Sequence, residues 1–221
     1  MMLEYLLPQA ASFAHDIDWL FTVIFITVGF WFVVAQGVLF YFIFRFRRQD
    51  GVRSLYVAGE VKAEKQWVSI PHYLVILCDL GLIAGTILVW INVKQALPAA
   101  EERVRIVGQQ WAWTFVHAGP DGQLDTADDI TRIDELHVKE NTVYHFELLS
   151  KDVIHSFSVP VFRLKQDAVP GRVITGWFKP TKTGQFDIQC AEMCGLGHGV
   201  MAARIQIETK EEYDKWMSEQ G

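Results

Sequence analysis

The residues best suited to chemistry lie together near the end of the chain. Cys190 and Cys194 supply two thiolates, His198 supplies an imidazole and Met201 supplies a thioether. A further imidazole, that of His155, lies 35 residues before Cys190 on a predicted strand. Thiolates, imidazoles and thioethers are the donors that proteins use to bind copper and zinc. The pattern therefore predicts a metal site built from sulfur and nitrogen donors.

Several kinds of site could use these residues. A Cys190–Cys194 disulfide, formed in an oxidising compartment, would leave both histidines and the methionine without a role. A zinc site of two Cys and two His would leave Met201 idle, and a mononuclear blue-copper site would leave one Cys over. A dinuclear copper centre uses every donor, because two thiolates can bridge two copper ions with one His on each. We favour the dinuclear centre, with zinc, a thiol redox pair and mononuclear copper as alternatives.

A β-rich domain is expected to position these donors. Short segments with alternating apolar residues recur from Val104 onward, separated by turn residues. The predicted strands include Val104 and Ile106, Trp111–Phe115, Tyr144–Leu148, Val153–Val159, Val173–Phe178, Gln185–Cys190 and Ala202–Ile207. Thr209 and Glu212 form a capping-box pattern for a short C-terminal helix over about Lys210–Ser218. Donors on one upstream strand and on a loop between two late strands predict an all-β, cupredoxin-like sandwich.

Two apolar stretches precede this domain. Residues 19–44 carry no charge, and residues 72–93 carry only Asp79. At ~1.5 Å rise per residue, each stretch is long enough to cross a hydrocarbon core of ~30 Å. We predict an N-terminal transmembrane α-helical hairpin over residues 1–97 and a separate domain over residues 98–221. A signal peptide is the alternative for the first stretch, but the run exceeds the ~7–15 apolar residues of such a segment and no basic residue precedes it.

The distribution of charge indicates the orientation of the chain. The predicted loop 45–70 holds six Lys and Arg against three Asp and Glu, so the positive-inside rule makes it cytoplasmic. Both termini and the domain 98–221 would then be extracytoplasmic. That domain holds 13 Lys and Arg against 19 Asp and Glu, and it carries the whole net charge of −6. An acidic domain argues against a nucleic-acid partner and suits a basic soluble protein.

Taken over essentially the whole chain, these features resemble subunit II of the heme-copper cytochrome c oxidases. The resemblance is carried by H-S-F at 155–157 and by C-x-E-x-C-x3-H-x2-M at 190–201, behind a two-helix hairpin. It implies a dinuclear copper centre of the CuA type, in which the donors have three roles. These are bridging thiolates from Cys190 and Cys194, terminal imidazoles from His155 and His198, and weak outer donors from Met201 and the backbone carbonyl of Glu192.

The resemblance also implies roles for neighbouring residues. The Glu192 side chain would bind a magnesium ion at the border with subunit I. The tract Q-Q-W-A-W-T-F at 109–115 resembles the aromatic strand of the family, in which Trp111 would receive the electron from cytochrome c. Ala112 departs from the family, which usually has an aromatic residue there. The tract at 165–172 resembles a stretch that lies against subunit I, although its residues alone predict a strand followed by a turn.

Three acidic features lie outside the set of copper donors. Glu64 lies where the resemblance places the mouth of a proton path into subunit I, and the simpler interpretation is an interfacial charge. Asp79 lies inside the second apolar stretch and is expected to pair with a partner subunit or to stay protonated. The loop Asp121–Asp129 carries four Asp but fails the EF-hand pattern, so an acidic hairpin turn is favoured over a calcium site.

The function implied by the resemblance is that of the electron-accepting subunit of a respiratory cytochrome c oxidase, in a bacterial-type inner membrane. Electrons would pass from cytochrome c to the copper pair and then to heme in subunit I, which reduces oxygen to water with proton translocation. Subunit I, subunit III and cytochrome c are the expected partners, and the chain lacks a C-x-x-C-H motif, so no heme is expected in it. The alternatives are a CuA-type subunit of a nitric oxide reductase or other non-oxygen reductase, a quinol-oxidase subunit, and a copper chaperone or thiol reductant.

Overall fold

The chain folds into two compact units. The computed structural model describes residues 3–54 and 56–220. One unit consists of residues 19–90, and the other combines the residues up to Asp18 with those from Ile91 onward. We call the second unit the β domain, because all of its strands lie after Ile91. It contains all the residues from which the metal site is predicted.

Two long apolar helices account for residues 19–90. Helix α1 spans Ala14–Arg45, and helix α2 spans Lys62–Trp90 and continues into a π-helical turn at Ile91–Gln95. Both helices are long and apolar enough to cross a membrane, and their most apolar windows are not buried against protein. Exposed large apolar side chains along such helices are typical of segments that lie in lipid. The two predicted apolar helices are therefore confirmed, and α1 extends beyond the predicted 19–44 at both ends.

The β domain is a sandwich of two five-stranded sheets. The strands are β1 Glu102–Gln109, β2 Ala112–His117, β3 Ile130–Ile133, β4 Glu135–Lys139, β5 Tyr144–Ser150, β6 His155–Val159, β7 Leu164–Ala168, β8 Ile174–Phe178, β9 Gly184–Cys190 and β10 Ala202–Glu208. The strand order is β3-β2-β1-β5-β8 in one sheet and β4-β10-β9-β6-β7 in the other. Strand β1 pairs with β5 in parallel, as β10 does with β4, and the other pairings are antiparallel. The predicted all-β sandwich is confirmed.

Aromatic side chains fill the space between the sheets, as the alternating pattern predicts. Trp113 and Phe115 of β2 are fully buried, whereas Trp111, just before the strand, is 41% exposed. The ring of Phe157 on β6 contacts both Trp113 and Phe115, with its centroid 5.6 Å from that of Trp113 and 6.4 Å from that of Phe115. Burial of such side chains is the main stabilising contribution to the sandwich, at about 1.5–3 kcal/mol each. It also fixes β2 against β6, the strand that begins with His155.

Two short strands were not predicted from the sequence. They are β3 and β4, which are separated only by Asp134 in a left-handed conformation with φ of 57°. The carboxylate of Asp134 accepts a 2.8 Å hydrogen bond from the backbone N–H of Trp113. In β4, the three consecutive residues Leu136, His137 and Val138 are buried. The alternation that identifies a half-exposed strand is therefore absent from β4.

The C-terminal helix explains the burial of β4. Helix α3 spans Lys210–Ser218, as predicted, and its capping box is formed. Its Trp216 stacks on the ring of His137 at 4.1 Å and meets the edge of the His117 ring at 5.1 Å. Burial, with smaller contributions from His137 and Arg132, lowers the pKa of His117 to about 3. Among the described residues, the Nε2 atom of His117 has no hydrogen-bond partner, so its imidazole is held neutral in an apolar setting.

The N-terminal segment forms part of the β domain. The backbone N–H of Ala10 donates to the carbonyl of Val161, and that of Thr181 donates to the carbonyl of Ala10, both at 2.9 Å. Asp18 is fully buried and accepts hydrogen bonds of 2.7 and 2.8 Å from Arg163. Removing one partner of such a buried pair costs about 3–5 kcal/mol, because the other charge is left uncompensated. These first residues lie within the predicted hairpin range 1–97, whereas in the structure they group with the β domain.

Candidate metal centre

Strand ends of the second sheet bring the predicted metal ligands together. His155 is the first residue of β6, and Cys190 is the last residue of the antiparallel neighbour β9. The backbone N–H of Cys190 donates to the carbonyl of Met201, immediately before β10, at 3.1 Å. The backbone N–H of Ala191 donates to the carbonyl of Ser156 at 2.9 Å. Main-chain hydrogen bonds therefore hold His155, Cys190 and Met201 close together without the help of a metal.

Four donor groups surround a central pair of sulfur atoms. The Sγ atoms of Cys190 and Cys194 are 3.7 Å apart, and both cysteines are free thiols. Each sulfur has one imidazole nitrogen and one weaker donor beside it. The distances to Cys190 Sγ are 4.0 Å from His155 Nδ1 and 3.3 Å from the carbonyl oxygen of Glu192, and those to Cys194 Sγ are 3.7 Å from His198 Nδ1 and 3.8 Å from Met201 Sδ. All the donors predicted for the copper pair therefore lie in one cluster.

The cluster is largely shielded from water. His155, Cys190, Cys194 and Met201 are buried, and His198 is half-buried at the rim. Burial, together with the adjacent Cys190 thiol, raises the pKa of the Cys194 thiol to about 11. Two thiolates 3.7 Å apart would repel each other in this setting, so both are stable as anions only when a cation lies between them. The chemistry of the donor set therefore fits soft, thiophilic metal ions.

Asp152 holds the ring of His155 in place. Its Oδ1 atom lies 2.7 Å from His155 Nε2, so the imidazole donates its N–H to the carboxylate and turns Nδ1 toward the sulfurs. The same carboxylate accepts the backbone N–H of Gln110 at 2.7 Å. Burial opposes the charge of Asp152, but these hydrogen bonds outweigh it and lower the pKa of the carboxyl group. Asp152 therefore remains an anion that orients one predicted metal ligand.

A second set of contacts holds the loop that carries Cys194. The side-chain amide of Gln110 and the indole N–H of Trp111 both donate to the carbonyl oxygen of Cys194, at 2.8 and 3.2 Å. The indole ring lies directly against Gly197, where an added Cβ atom would be 2.4 Å from a ring carbon. Trp111 thus connects the exposed surface to the ligand loop, and only a residue without a side chain fits beneath it.

The side chains of three other residues singled out in the sequence are not among the donors of this cluster. The Glu192 side chain is exposed, and only its backbone carbonyl faces the sulfurs. Glu64 lies in the separate unit 19–90, half-buried, and its carboxylate accepts the backbone N–H of Gly59 at 3.0 Å. Asp79 lies in the same unit and is exposed on the surface of α2. The geometry therefore groups the copper donors but leaves the roles of Glu64 and Asp79 as predictions.

The acidic segment 121–129 connects the antiparallel strands β2 and β3, as an acidic hairpin turn would. Its carboxylates bind its own residues: Asp121 accepts the backbone N–H of Gln123, and Asp128 accepts the hydroxyl of Thr126. Asp125 forms an ion pair with Arg105 on β1. These contacts favour the hairpin interpretation, because the oxygens that would bind calcium already accept hydrogen bonds.

Two residues around the cluster were not recognised from the sequence. Asp152 and Gln110 lie 42 residues apart, and Gln110 lies 84 residues before Cys194. A local signal for Asp152 does exist, because an acid three residues before a predicted ligand His can reach its far nitrogen. No comparable signal exists for Gln110, whose side chain meets Cys194 only through the fold.

Comparisons with known proteins agree with this geometry. Residues 103–208 match the family model described as cytochrome c oxidase subunit II, periplasmic domain. The chain is 33% identical to an alternative cytochrome c oxidase subunit 2 of Bradyrhizobium diazoefficiens, over 88% of this chain and 78% of the relative. It is 31% identical to cytochrome c oxidase subunit 2 of Thermostichus vulcanus, over 96% and 77% respectively. The crystal structure of the periplasmic domain of subunit II of cytochrome oxidase from Bradyrhizobium japonicum matches with a TM-score of 0.50 and 30% identity, over 57% of this chain and 96% of that one.

Proposed function

Because the chain belongs to the cytochrome c oxidase subunit II family, we propose that it is the electron-accepting subunit of a respiratory cytochrome c oxidase. Family membership and the two apolar helices indicate a membrane-anchored subunit with a periplasmic domain. One observation carries the proposal: four further donor groups meet around one pair of free, buried thiols. A mononuclear copper site needs only one thiolate, whereas two lie side by side here.

The residues present fit the dinuclear copper group that the family implies. Cys190 and Cys194 would bridge the ions, and His155 and His198 would be the terminal ligands. Met201 and the Glu192 carbonyl would complete the donor set as weak outer ligands. When bound, the copper pair would accept one electron at a time from cytochrome c and release it toward heme in subunit I.

The contribution of the protein is a rigid and dry donor set. Main-chain hydrogen bonds between β6, β9 and the residue before β10 fix the positions of His155, Cys190 and Met201. Asp152 fixes the orientation of His155, and burial keeps water away from both sulfurs. Donors that are held in this way move little when the charge of the group changes, which favours fast electron transfer.

Trp111 is the proposed point at which electrons enter from cytochrome c. Its ring is half-exposed, and its indole N–H binds the carbonyl of Cys194. A path therefore leads from the surface through the Trp111 side chain and one hydrogen bond to the backbone of Cys194, the residue that carries one of the two thiols. The excess of Asp and Glu in residues 98–221 would attract a basic cytochrome and raise the rate of encounter.

The remaining parts of the proposal concern the assembled oxidase. Subunits I and III are the expected partners, and oxygen reduction and proton translocation would take place outside this chain. The exposed Glu192 side chain would bind magnesium at the border with subunit I, and Glu64 would begin a proton path. We propose that residues 98–221 and both termini are periplasmic, that loop 45–70 is cytoplasmic, that the oxidase lies in a bacterial-type inner membrane, and that this chain holds no heme.

The test compares oxidase complexes that contain the wild-type chain, Cys194→Ser or Cys78→Ser. Cys78 is a matched control, because it is a half-buried free thiol on α2. We expect Cys194→Ser to contain two fewer copper ions per complex and to lose reduction by cytochrome c, because one thiolate cannot hold the pair. Cys78→Ser should match the wild type in both measurements.

The measurements are metal content by mass spectrometry and stopped-flow reduction by cytochrome c, with oxygen or nitric oxide as the final acceptor. A loss of one copper or of zinc in Cys194→Ser would contradict a dinuclear centre. Turnover with nitric oxide and none with oxygen would assign the chain to a different reductase. Copper content unchanged by Cys194→Ser would refute the proposed site as a whole.

A further inference from the structure

Four arginines lie at the end of α1 and line a single cavity. They are Arg45, Arg47, Arg48 and Arg53, which fall within nine residues of sequence. The cavity has a volume of about 810 Å³, and its walls also include Phe46 and Val52. All these residues are exposed in the unit 19–90. The copper donors belong to the other unit, so the cavity is not part of the metal centre.

The residues that line this cavity include four Arg and no Asp or Glu, and Asp50, which lies between Arg48 and Arg53 in the sequence, is not among them. In the part of the chain that the structure describes, no Asp or Glu forms an ion pair with any of the four guanidinium groups. The one described interaction of an arginine here places Arg45 over the ring of Phe46, at 5.5 Å from its centroid. The Glu64 carboxylate, in the same unit, accepts a backbone N–H from Gly59. Four adjacent cations without a counter-ion repel one another, and an anion that fills the cavity would relieve this repulsion.

The shape and position of the cavity restrict the class of anion. Guanidinium groups present planar forks of donors that match the oxygens of a phosphate group. The cavity begins where the apolar stretch of α1 ends, which is the depth at which lipid headgroups lie. Its walls combine arginines with apolar side chains, and Phe44 and Phe46 are exposed beside it. A free phosphate ion would use only the arginines, whereas a lipid would also contact the apolar residues.

We propose that the cavity formed by Arg45, Arg47, Arg48 and Arg53 binds the phosphate headgroup of an anionic phospholipid. The arginines bind the phosphate oxygens, and the apolar walls contact the glycerol and the first carbons of the acyl chains. Basic pockets at the ends of membrane-spanning helices bind anionic headgroups in this way. The site is independent of copper and adds a specific lipid to the components of the oxidase.

The test measures lipid binding by the oxidase complex in a neutral detergent, where no charged membrane surface contributes. The probes are phosphatidylglycerol and phosphatidylcholine with identical acyl chains, quantified by native mass spectrometry. Three double variants are compared with the wild type. These are Arg47→Gln with Arg48→Gln, Arg47→Lys with Arg48→Lys, and Lys62→Gln with Lys65→Gln, of which the last removes the same charge from the same predicted loop but outside the cavity.

We expect the wild type to prefer phosphatidylglycerol, and the Arg-to-Gln variant to bind it about 20–30-fold more weakly, which corresponds to two lost charges. The Arg-to-Lys variant should lose less affinity for phosphatidylglycerol, because it keeps the positive charge but not the planar pair of guanidinium N–H donors. The affinity of the Lys-to-Gln variant for phosphatidylglycerol should fall by less than threefold. Unchanged copper content in every variant would show that the complex is intact.

Four results would overturn the proposal. The first is equal binding of the two lipids by the wild type. The second is an equal loss in the Arg-to-Gln and Lys-to-Gln variants, which would mean that only overall charge matters. The third is displacement of bound lipid by inorganic phosphate at a matching concentration, which would assign the cavity to a free anion. The fourth is loss of another oxidase subunit from the Arg-to-Gln variant without loss of lipid, which would assign it to a protein interface.

Discussion

Removal of the Asp152 carboxylate tests whether one residue outside the donor set controls the metal centre. In Asp152→Ala, the Nε2–H group of His155 loses its acceptor at 2.7 Å, and the ring itself is fully buried. Leaving a buried donor unsatisfied costs about 1–3 kcal/mol. The backbone N–H of Gln110 also loses its acceptor, but it is exposed and water can replace the carboxylate. The cost should therefore arise at His155.

This cost predicts a loss of copper affinity. Partners that orient a ligand histidine typically contribute a factor of about 10–100 in metal affinity, which equals about 1.4–2.8 kcal/mol and agrees with the hydrogen-bond estimate. Asp152→Asn should lose less copper affinity, because its amide oxygen can still accept the Nε2–H hydrogen bond from His155. Asp187→Ala is the matched control, since Asp187 is an exposed acid three residues before the ligand Cys190.

The assay is a copper titration of the full chain in detergent against a chelator of known affinity. We expect the ratio of affinities between wild type and Asp152→Ala to be about 10–100, and the Asp187→Ala ratio to be close to one. A wild-type affinity in Asp152→Ala would refute the reasoning, because it would mean that the strands alone orient the ring of His155. Equal losses in the two alanine variants would attribute the effect to net charge.

Two further predictions concern packing and pH. Gly197→Ala should lower the free energy of unfolding by about 1–3 kcal/mol and should reduce copper occupancy, because its Cβ atom would overlap the ring of Trp111. Gly199→Ala is the control, since an added Cβ atom there would have nothing within 4 Å, and it should change neither quantity. The measurements are copper analysis and thermal unfolding. Identical behaviour of the two alanine variants would contradict the proposed packing. The pKa of His117 is about 3 in the folded chain, below its ordinary value of 6.5, so the unfolded chain binds more protons between these values. The contribution of neutral His117 to the free energy of unfolding should therefore be fully present above pH 6.5. It should fall by about 2 kcal/mol between pH 6.5 and pH 5. The measurement is urea unfolding followed by near-ultraviolet circular dichroism. His117→Phe should remove that part of the pH dependence, and an unchanged pH profile in this variant would show that another group causes it.

The donor set could be predicted from sequence because its chemistry is concentrated in a short segment. Cys190, Cys194, His198 and Met201 follow one another closely, and His155 completes a combination of residue types that few other sites need. The capping box of α3 was predictable for the same reason, since all its contacts lie within four residues. Both features depend on local spacing, which sequence displays directly.

Contacts between distant residues could not be predicted in this way. Gln110 meets Cys194 across 84 residues, and Arg163 meets Asp18 across 145. The predicted strand over Trp111–Phe115 begins one residue later, at Ala112, so Trp111 precedes the strand that buries Trp113 and Phe115. Strand β4 lacked a recognisable pattern because α3 covers the face that would otherwise be polar. In each case the missing information is which elements pack together.

The parallel pairing of β10 with β4 has a consequence for the order of events during biosynthesis. Strand β4 is at the edge of its sheet, and its strand partner there is β10, which starts at Ala202 near the end of the chain. More than 60 residues must leave the ribosome after β4 before the second sheet can close, and pairings of such high separation form slowly. The last donor, Met201, immediately precedes that strand. Synthesis must therefore have passed β10 before all the predicted ligands can be in place, so metal loading is expected to follow synthesis of that strand.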